Sequence, residues 1–170
     1  MIRAAVLGSP IAHSLSPVLH RAAYRALGLA GAYEAIDVVA SALGEFIATR
    51  DNSWTGFSLT MPLKEEVLEI AESIDPLAVQ IQSANTLIRS KSGWHALTTD
   101  VSGFHHALTA HGVTNYEKVL IIGAGATARA AAAACDEFGN NIIVINRSEK
   151  TGSGYARRSA QKQNFVYQLE

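Results

Sequence analysis

The sequence predicts an α/β protein in two stretches, a mainly parallel sheet followed by part of a second parallel sheet. Three observations predict it. Short apolar runs such as Ile2 to Leu7 and Val119 to Ile122 have the length and branching of buried strands. Between such runs lie segments whose apolar residues recur at helical spacing. Gly, Pro, Ser and Asp punctuate the junctions, where the chain must change direction. At 170 residues, 48% hydrophobic and 17% charged, the chain can bury a core.

Taken in order, Ile2 to Leu7 is a strand that ends at Gly8, and Ser9-Pro10 forces a turn. Ser16 then supplies a capping hydroxyl before Pro17 at the first helical position. Val18, Leu19, Ala22, Ala23, Ala26 and Leu27 give that helix an apolar face, and Gly28 ends it. Tyr33 to Val38 is strand-like, and Ser41 opens a helix whose Leu43, Phe46 and Ile47 share one side. Gly56 to Thr60 is the next strand; Met61-Pro62 breaks it, and a helix restarts at Lys64. Asp75-Pro76 opens a short helix, and Ala84 to Arg89 and Trp94 to Thr98 flank a hairpin turn at Lys91-Ser92-Gly93. Asp100 caps a helix running to Gly112, with the domain boundary between about Thr98 and Asn115. Strands alternating with helices in this way place binding residues at the carboxyl ends of the strands.

The second stretch is more regular. Lys118 leads into the strand Val119 to Ile122, Ala126 to Phe138 is an alanine-rich helix ending at Gly139, and Asn141 to Ile145 is a strand. Ser153 to Gln163 reads as a weaker helix and Phe165 to Leu169 as a third strand. Between the first strand and its helix, Gly123-Ala124-Gly125-Ala126-Thr127-Ala128 matches GxGxx(G/A). The first glycine serves the tight turn, the second lets a pyrophosphate approach the backbone, and the small last residue lets helix and strand pack closely. This is half of a Rossmann dinucleotide-binding fold. At the end of its second strand, where an NAD enzyme carries an acid, stand Asn146-Arg147-Ser148. A guanidinium there pairs with the 2′-phosphate of NADP, which favours that cofactor.

Bulk properties exclude other classes. Fourteen basic and 15 acidic residues, a net charge of -1, leave no electrostatic footprint for nucleic acid or an anionic membrane. One cysteine, Cys135, rules out an internal disulfide and a Cys-based zinc site, which fits a cytoplasmic protein. The histidines form no HExxH pair, and His105 and His106 diverge on a helix, so no metal is expected. The expected partner is a small molecule.

Four further motifs carry a family resemblance. Gly8 to Pro17 reads GSPIAHSLSP, Ser58 to Lys64 reads SLTMPLK, Ser83 to Leu87 reads SANTL, and Thr98 to Phe104 reads TTDVSGF. In this order, with the glycine loop and Asn-Arg-Ser, they resemble the shikimate dehydrogenases over nearly the whole chain. The resemblance implies a substrate-binding domain over residues 1–100 and a partial NADP-binding Rossmann domain over 101–170. It implies reversible NADPH-dependent reduction of 3-dehydroshikimate to shikimate, in the formation of chorismate and aromatic amino acids. Quinate/shikimate dehydrogenases share these motifs, and a non-catalytic binding fragment is the third reading.

Residue by residue, the resemblance gives Ser14 and Ser16 to the substrate carboxylate, as two hydroxyls beside a helix N-terminus suit an anion. Thr60, Asn85, Thr99 and Asp100 go to ring hydroxyls. Lys64 becomes the acid/base, also binding substrate, with Asp100 as its catalytic partner, because reduction of a ketone creates an alkoxide that needs a proton. Gly123, Ala124, Gly125, Ala126, Thr127 and Ala128, with Asn146, Arg147 and Ser148, hold the cofactor. Ser58, Thr98 and Ala126 depart from the Asn, Asn and Gly usual in the pattern. Members of the family continue past this chain's last residue, so the strand Val119 to Ile122 is expected to have an uncovered apolar edge, with homodimerisation as one outcome.

Overall fold

The computed structural model describes residues 1–136, 141–146 and 165–168. Its contacts divide the chain into two compact units, Met1–Thr98 and Thr99–Glu170.

In the first unit the strands are β1 (Ile2–Gly8), β2 (Gly31–Asp37), β3 (Gly56–Leu59), β4 (Ser73–Ile74), β5 (Thr86–Ser90) and β6 (Gly93–Leu97). They form one sheet in the order β2-β1-β3-β5-β6-β4. β1 runs parallel to β2 and β3, β5 is antiparallel to both β3 and β6, and β4 is parallel to β6. The sheet is therefore mixed, with β5 alone reversed. The reversal follows from the hairpin: a two-residue connection at Lys91-Ser92 can join only antiparallel neighbours.

Alternation along the strands sorts side chains onto two faces. Ala5, Leu7, Phe57, Leu59, Leu87, Trp94 and Ala96 point to one face, which is the main core. It is covered by α2 (Leu43–Ala48), α3 (Leu63–Glu66) with the 3-10 turn Val67–Glu69, and α4 (Pro76–Ile81). α4 begins as its sequence predicts: the Asp75 carboxylate accepts from Leu77 N at 2.9 Å before Pro76. α2 does not. Ser41 has φ 68° and lies outside the helix, and the Glu66 carboxylate, 25 residues on, accepts from Ser41 N at 3.0 Å and Leu43 N at 3.3 Å.

Ala4, Val6, Ile11 and Tyr33 occupy the opposite face beneath α1 (Ser16–Ala26). The apolar stripe expected for α1 is not what it buries: Val18 and Leu19 are 64% and 66% exposed. Aromatic residues make the contact instead. The His20 ring stacks on Tyr33 with centroids 3.9 Å apart, and Tyr24 packs on the cluster against Gly31, where an added Cβ would meet its ring at 3.0 Å. The small residues of β1 and β2 leave room for rings rather than for a second aliphatic layer.

The second unit contains α5 (Asp100–Ala110), β7 (Lys118–Ile122), α6 (Ala126–Asp136), β8 (Asn141–Asn146) and β9 (Phe165–Gln168). Its strands are all parallel, in the order β7-β8-β9. Ala124, Ala132, Cys135, Ile142 and Val144 form its core, with Leu108 and Tyr116 packed against them. Leu120 and Ile122 on β7 are 59% and 75% exposed. The tail of the predicted alanine-rich helix and the helix predicted at Ser153 to Gln163 lie outside the described residues. No helix among the described residues is long and apolar enough to cross a membrane.

Candidate functional site

Strand direction decides which residues meet at the carboxyl edge of the first sheet. β1 and β3 end there, and β5, being reversed, begins there. Ser14 and Ser16 follow β1, Thr60 and Lys64 follow β3, and Asn85 precedes β5. Ser14, Thr60, Lys64 and Asn85 lie in segments that main-chain bonds stitch together: Thr60 N donates to Leu7 O at 2.9 Å, Ser9 N to Met61 O at 3.0 Å, Leu59 N to Asn85 O at 2.7 Å and Ala84 N to Lys64 O at 2.9 Å. Asn85 N also donates to Leu97 O at 3.2 Å, which brings the end of β6 to this edge.

Gly8 permits the closest of these approaches. A Cβ there would stand 2.8 Å from Met61 O and collide with the Thr60 methyl. The loops carrying Ser14 and Thr60 thus sit at a separation that only glycine allows.

Ser14 and Ser16 differ from the sequence expectation. α1 begins at Ser16 itself, no side chain caps it in the usual way, and Ser14 Oγ accepts from Ser16 N at 3.3 Å. Ser14, not Ser16, serves the first turn, because Pro17 leaves the Ser16 amide as the nearest N–H that needs an acceptor. Both hydroxyls stand at the positive end of an 11-residue helix. Across the edge, Thr86 Oγ1 donates to Asn85 Oδ1 at 2.9 Å.

Two residues that sequence reasoning did not select meet on the α1 face of the sheet. Tyr33, 2% exposed, donates its hydroxyl to Ser58 Oγ at 2.7 Å. Burial pushes the Tyr33 phenol above its usual range, with the Ser58 bond opposing. Together with His20, Tyr24, Thr86 and Ile88 they line a groove of about 200 Å³ along the α1 face of the sheet. The signal available in sequence was the alternation placing Ser58 two residues before Thr60; nothing local pointed to Tyr33.

Thr99 and Asp100 open the second unit. Thr99 is the residue before α5, and its carbonyl accepts from Gly103 N at 2.9 Å and Ser102 Oγ at 3.0 Å. Asp100 is the first helical residue rather than the cap, since Thr99 already has helical φ and ψ. In the same unit, Gly123 has φ +114°, which disfavours any other residue, and its N–H donates to Ile145 O at 2.7 Å. Among the described residues nothing lies within 4 Å of where a Cβ would stand at Gly123 or Gly125, so the turn before α6 offers an open main-chain cradle. That opening fits a pyrophosphate, which needs bare backbone beside a helix start. Ala124 is buried beneath the turn, Ala126 begins α6, and Thr127 and Ala128 lie in its first turn. Asn146 ends β8. Arg147 and Ser148 lie outside the described residues.

The sequence profile of the shikimate dehydrogenase substrate binding domain matches residues 6–87, which hold Ser14, Ser16, Thr60, Lys64 and Asn85. Over these residues the chain matches the shikimate dehydrogenase family. A shikimate dehydrogenase (NADP(+)) of Thermus thermophilus is 40% identical over 148 residues, covering 87% of this chain and 56% of that protein. One from Methanothrix thermoacetophila is 41% identical over 154 residues, with 89% and 56% covered. Among solved structures, the Thermus thermophilus shikimate 5-dehydrogenase in complex with shikimate superposes with TM-score 0.89 at 36% identity, covering 98% of this chain and 63% of that one. The complex of that enzyme with NADP(H) and shikimate gives 0.86 at 35% identity, covering 100% and 63%. The Mycobacterium tuberculosis shikimate dehydrogenase gives 0.89 at 36%, covering 100% and 64%. The chain thus spans about half the length of the curated shikimate dehydrogenases it matches, 56% for the first.

Proposed function

We propose that this chain supplies the substrate-binding unit and the dinucleotide-binding β-α-β of an NADP-dependent shikimate dehydrogenase, interconverting 3-dehydroshikimate and shikimate on the route to chorismate. The observation that carries the reading is the convergence of Ser14, Ser16, Thr60, Lys64 and Asn85 on one sheet edge, in a chain that matches this family. Residues 1–100 form the substrate domain and 101–170 part of the nucleotide domain.

The Ser14 and Ser16 hydroxyls bind the substrate carboxylate at the positive end of α1. Thr60, Asn85 and Thr99 meet ring hydroxyls, since a polyol needs several fixed donors and acceptors. Lys64 Nζ delivers a proton to the ketone oxygen in reduction and recovers it in oxidation, and its charge stabilises the developing alkoxide. Asp100 meets the substrate hydroxyl and shares in the proton transfer. The loop Gly123 to Ala128 holds the pyrophosphate of NADP, and Asn146, Arg147 and Ser148 hold its 2′-phosphate. When bound, that cofactor gives or takes the hydride. The balanced charge and the lone cysteine support a cytoplasmic protein acting on a small molecule, and exposed Leu120 and Ile122 on β7 support a homodimer.

A second reading is binding of shikimate or nucleotide without turnover. One experiment separates them: NADP+ reduction by shikimate at several protein concentrations, beside titrations of each ligand. Turnover lost in both Lys64→Ala and Asp100→Asn, with shikimate still bound, supports the acid/base assignment; unchanged turnover in both would sink it. Binding without turnover supports the second reading, and failure to bind shikimate overturns both.

A further inference from the structure

We propose that Asp37 is a positioning residue of the site, fixing through the Ile11 amide the loop that carries Ser14 to the start of α1. The inference rests on the functional reading above and deepens it.

The placement follows from the alternation along β2. Ile36 and Val38 pack on the main core, so Tyr33 and Asp37 take the opposite face, the one beneath α1. Asp37 ends β2 and stands in register with Gly8, the last residue of β1. Its carboxylate therefore emerges at the carboxyl edge, beside the loop that leaves Gly8, and Oδ2 accepts from Ile11 N at 3.3 Å. Ile11 is the pivot of that loop. Its side chain is buried with Ala4, Val6 and Tyr33, its carbonyl accepts from Ser14 N at 2.9 Å, and Ser14 Oγ accepts from Ser16 N at 3.3 Å. A chain of bonds consequently runs from Asp37 through Ile11 and Ser14 to the first turn of α1.

The loop's other ties are main chain to main chain: Val38 N donates to Gly8 O at 3.0 Å and Ser9 N to Met61 O at 3.0 Å. Both lie at its start. Between Ser9 and Ser14, the Asp37 carboxylate is the bond from outside the loop, and Ile11 N has no other acceptor among the described residues. An amide of a buried residue that loses its acceptor must turn toward water, and the Ile11 carbonyl and Ser14 would shift with it. Charge separates this role from substrate contact. The Ser14 and Ser16 hydroxyls are proposed to receive a carboxylate, which a second carboxylate nearby would repel. Asp37 therefore serves the loop as an acceptor and not the ligand as a partner, and an asparagine oxygen could take its place.

The test is a double-mutant cycle on shikimate affinity, by titration calorimetry on the 170-residue chain, with folding checked by tryptophan fluorescence. Asp37→Ala is expected to weaken shikimate binding about 2- to 10-fold, the range for one net hydrogen bond. Asp37→Asn, which keeps an acceptor and removes the repulsion, is expected to retain affinity or raise it. In a Ser14→Ala background Asp37→Ala is expected to have no further effect, because Asp37 acts through that hydroxyl. Equal losses in both backgrounds, none in either, or an Asp37→Asn variant as weak as Asp37→Ala overturn the proposal while leaving the functional reading standing. Failure of the unmodified chain to bind shikimate overturns that reading, and this inference with it.

Discussion

Replacing Ser83 by alanine is expected to stabilise the first unit, against the usual direction for a change at a fully buried site. Ser83 is 0% exposed, and its hydroxyl oxygen has no hydrogen-bond partner among the described residues. A buried donor left unmade costs about 1–3 kcal/mol. Alanine keeps the Cβ and removes only the oxygen. The space left, roughly 15 Å³, costs about 0.4 kcal/mol at about 24 cal/mol per Å³. The net expectation is a gain of about 0.5–2.5 kcal/mol. Urea unfolding followed by tryptophan fluorescence reads it cleanly, because both tryptophans of the chain, Trp54 and Trp94, lie in the core of this unit. The midpoint should rise at constant m-value. A lower midpoint would refute the reasoning, since it would mean that the hydroxyl is satisfied in solution and that its removal breaks a bond.

Other changes follow from the same geometry. Gly8→Ala drives a methyl into Thr60 and Met61 O, so it should cost about 1–3 kcal/mol by denaturation and weaken shikimate binding as the two loops separate. Gln82 holds a left-handed conformation, φ 51° and ψ 46°, at the end of α4; Gln82→Gly should gain about 0.5–1 kcal/mol in the same urea assay. Glu66→Ala removes the acceptor for Ser41 N and Leu43 N and should cost about 1 kcal/mol, a loss of midpoint that Glu66→Gln partly restores. Burial raises the Tyr33 phenol above its unfolded value near 10, so its contribution is complete below that pH and is lost as pH rises through the folded value. Stability measured above about pH 10 should fall less steeply in Tyr33→Phe than in the unmodified chain.

Much of this fold is legible along the chain because its signals are local. Asp75-Pro76 opens α4, Lys91-Ser92-Gly93 turns the hairpin, and the glycine loop stands between β7 and α6, each within a few residues. Errors cluster where another group takes the bond expected of the local one. Ser41 reads as a helix start but Glu66 performs that role from α3. Ser16 reads as a cap, yet Ser14 takes the bond. β4, two residues long, has no periodicity to detect.

By itself the sequence determined the alternation of strands and helices, a family resemblance through its ordered motifs, and the candidate residues, because propensity, punctuation and motif spacing act over short stretches of chain. The hairpin makes β5 and β6 antiparallel, but only the tertiary structure decided that β5 is the reversed one and so returns Asn85 to the edge that holds Ser14, Thr60 and Lys64. It alone revealed the bond from Tyr33 to Ser58, 25 residues apart, and a Ser83 hydroxyl with no partner among the described residues. The reason is physical: a buried polar group is satisfied by whichever partner packing brings within about 3 Å, and sequence separation places no limit on which one that is.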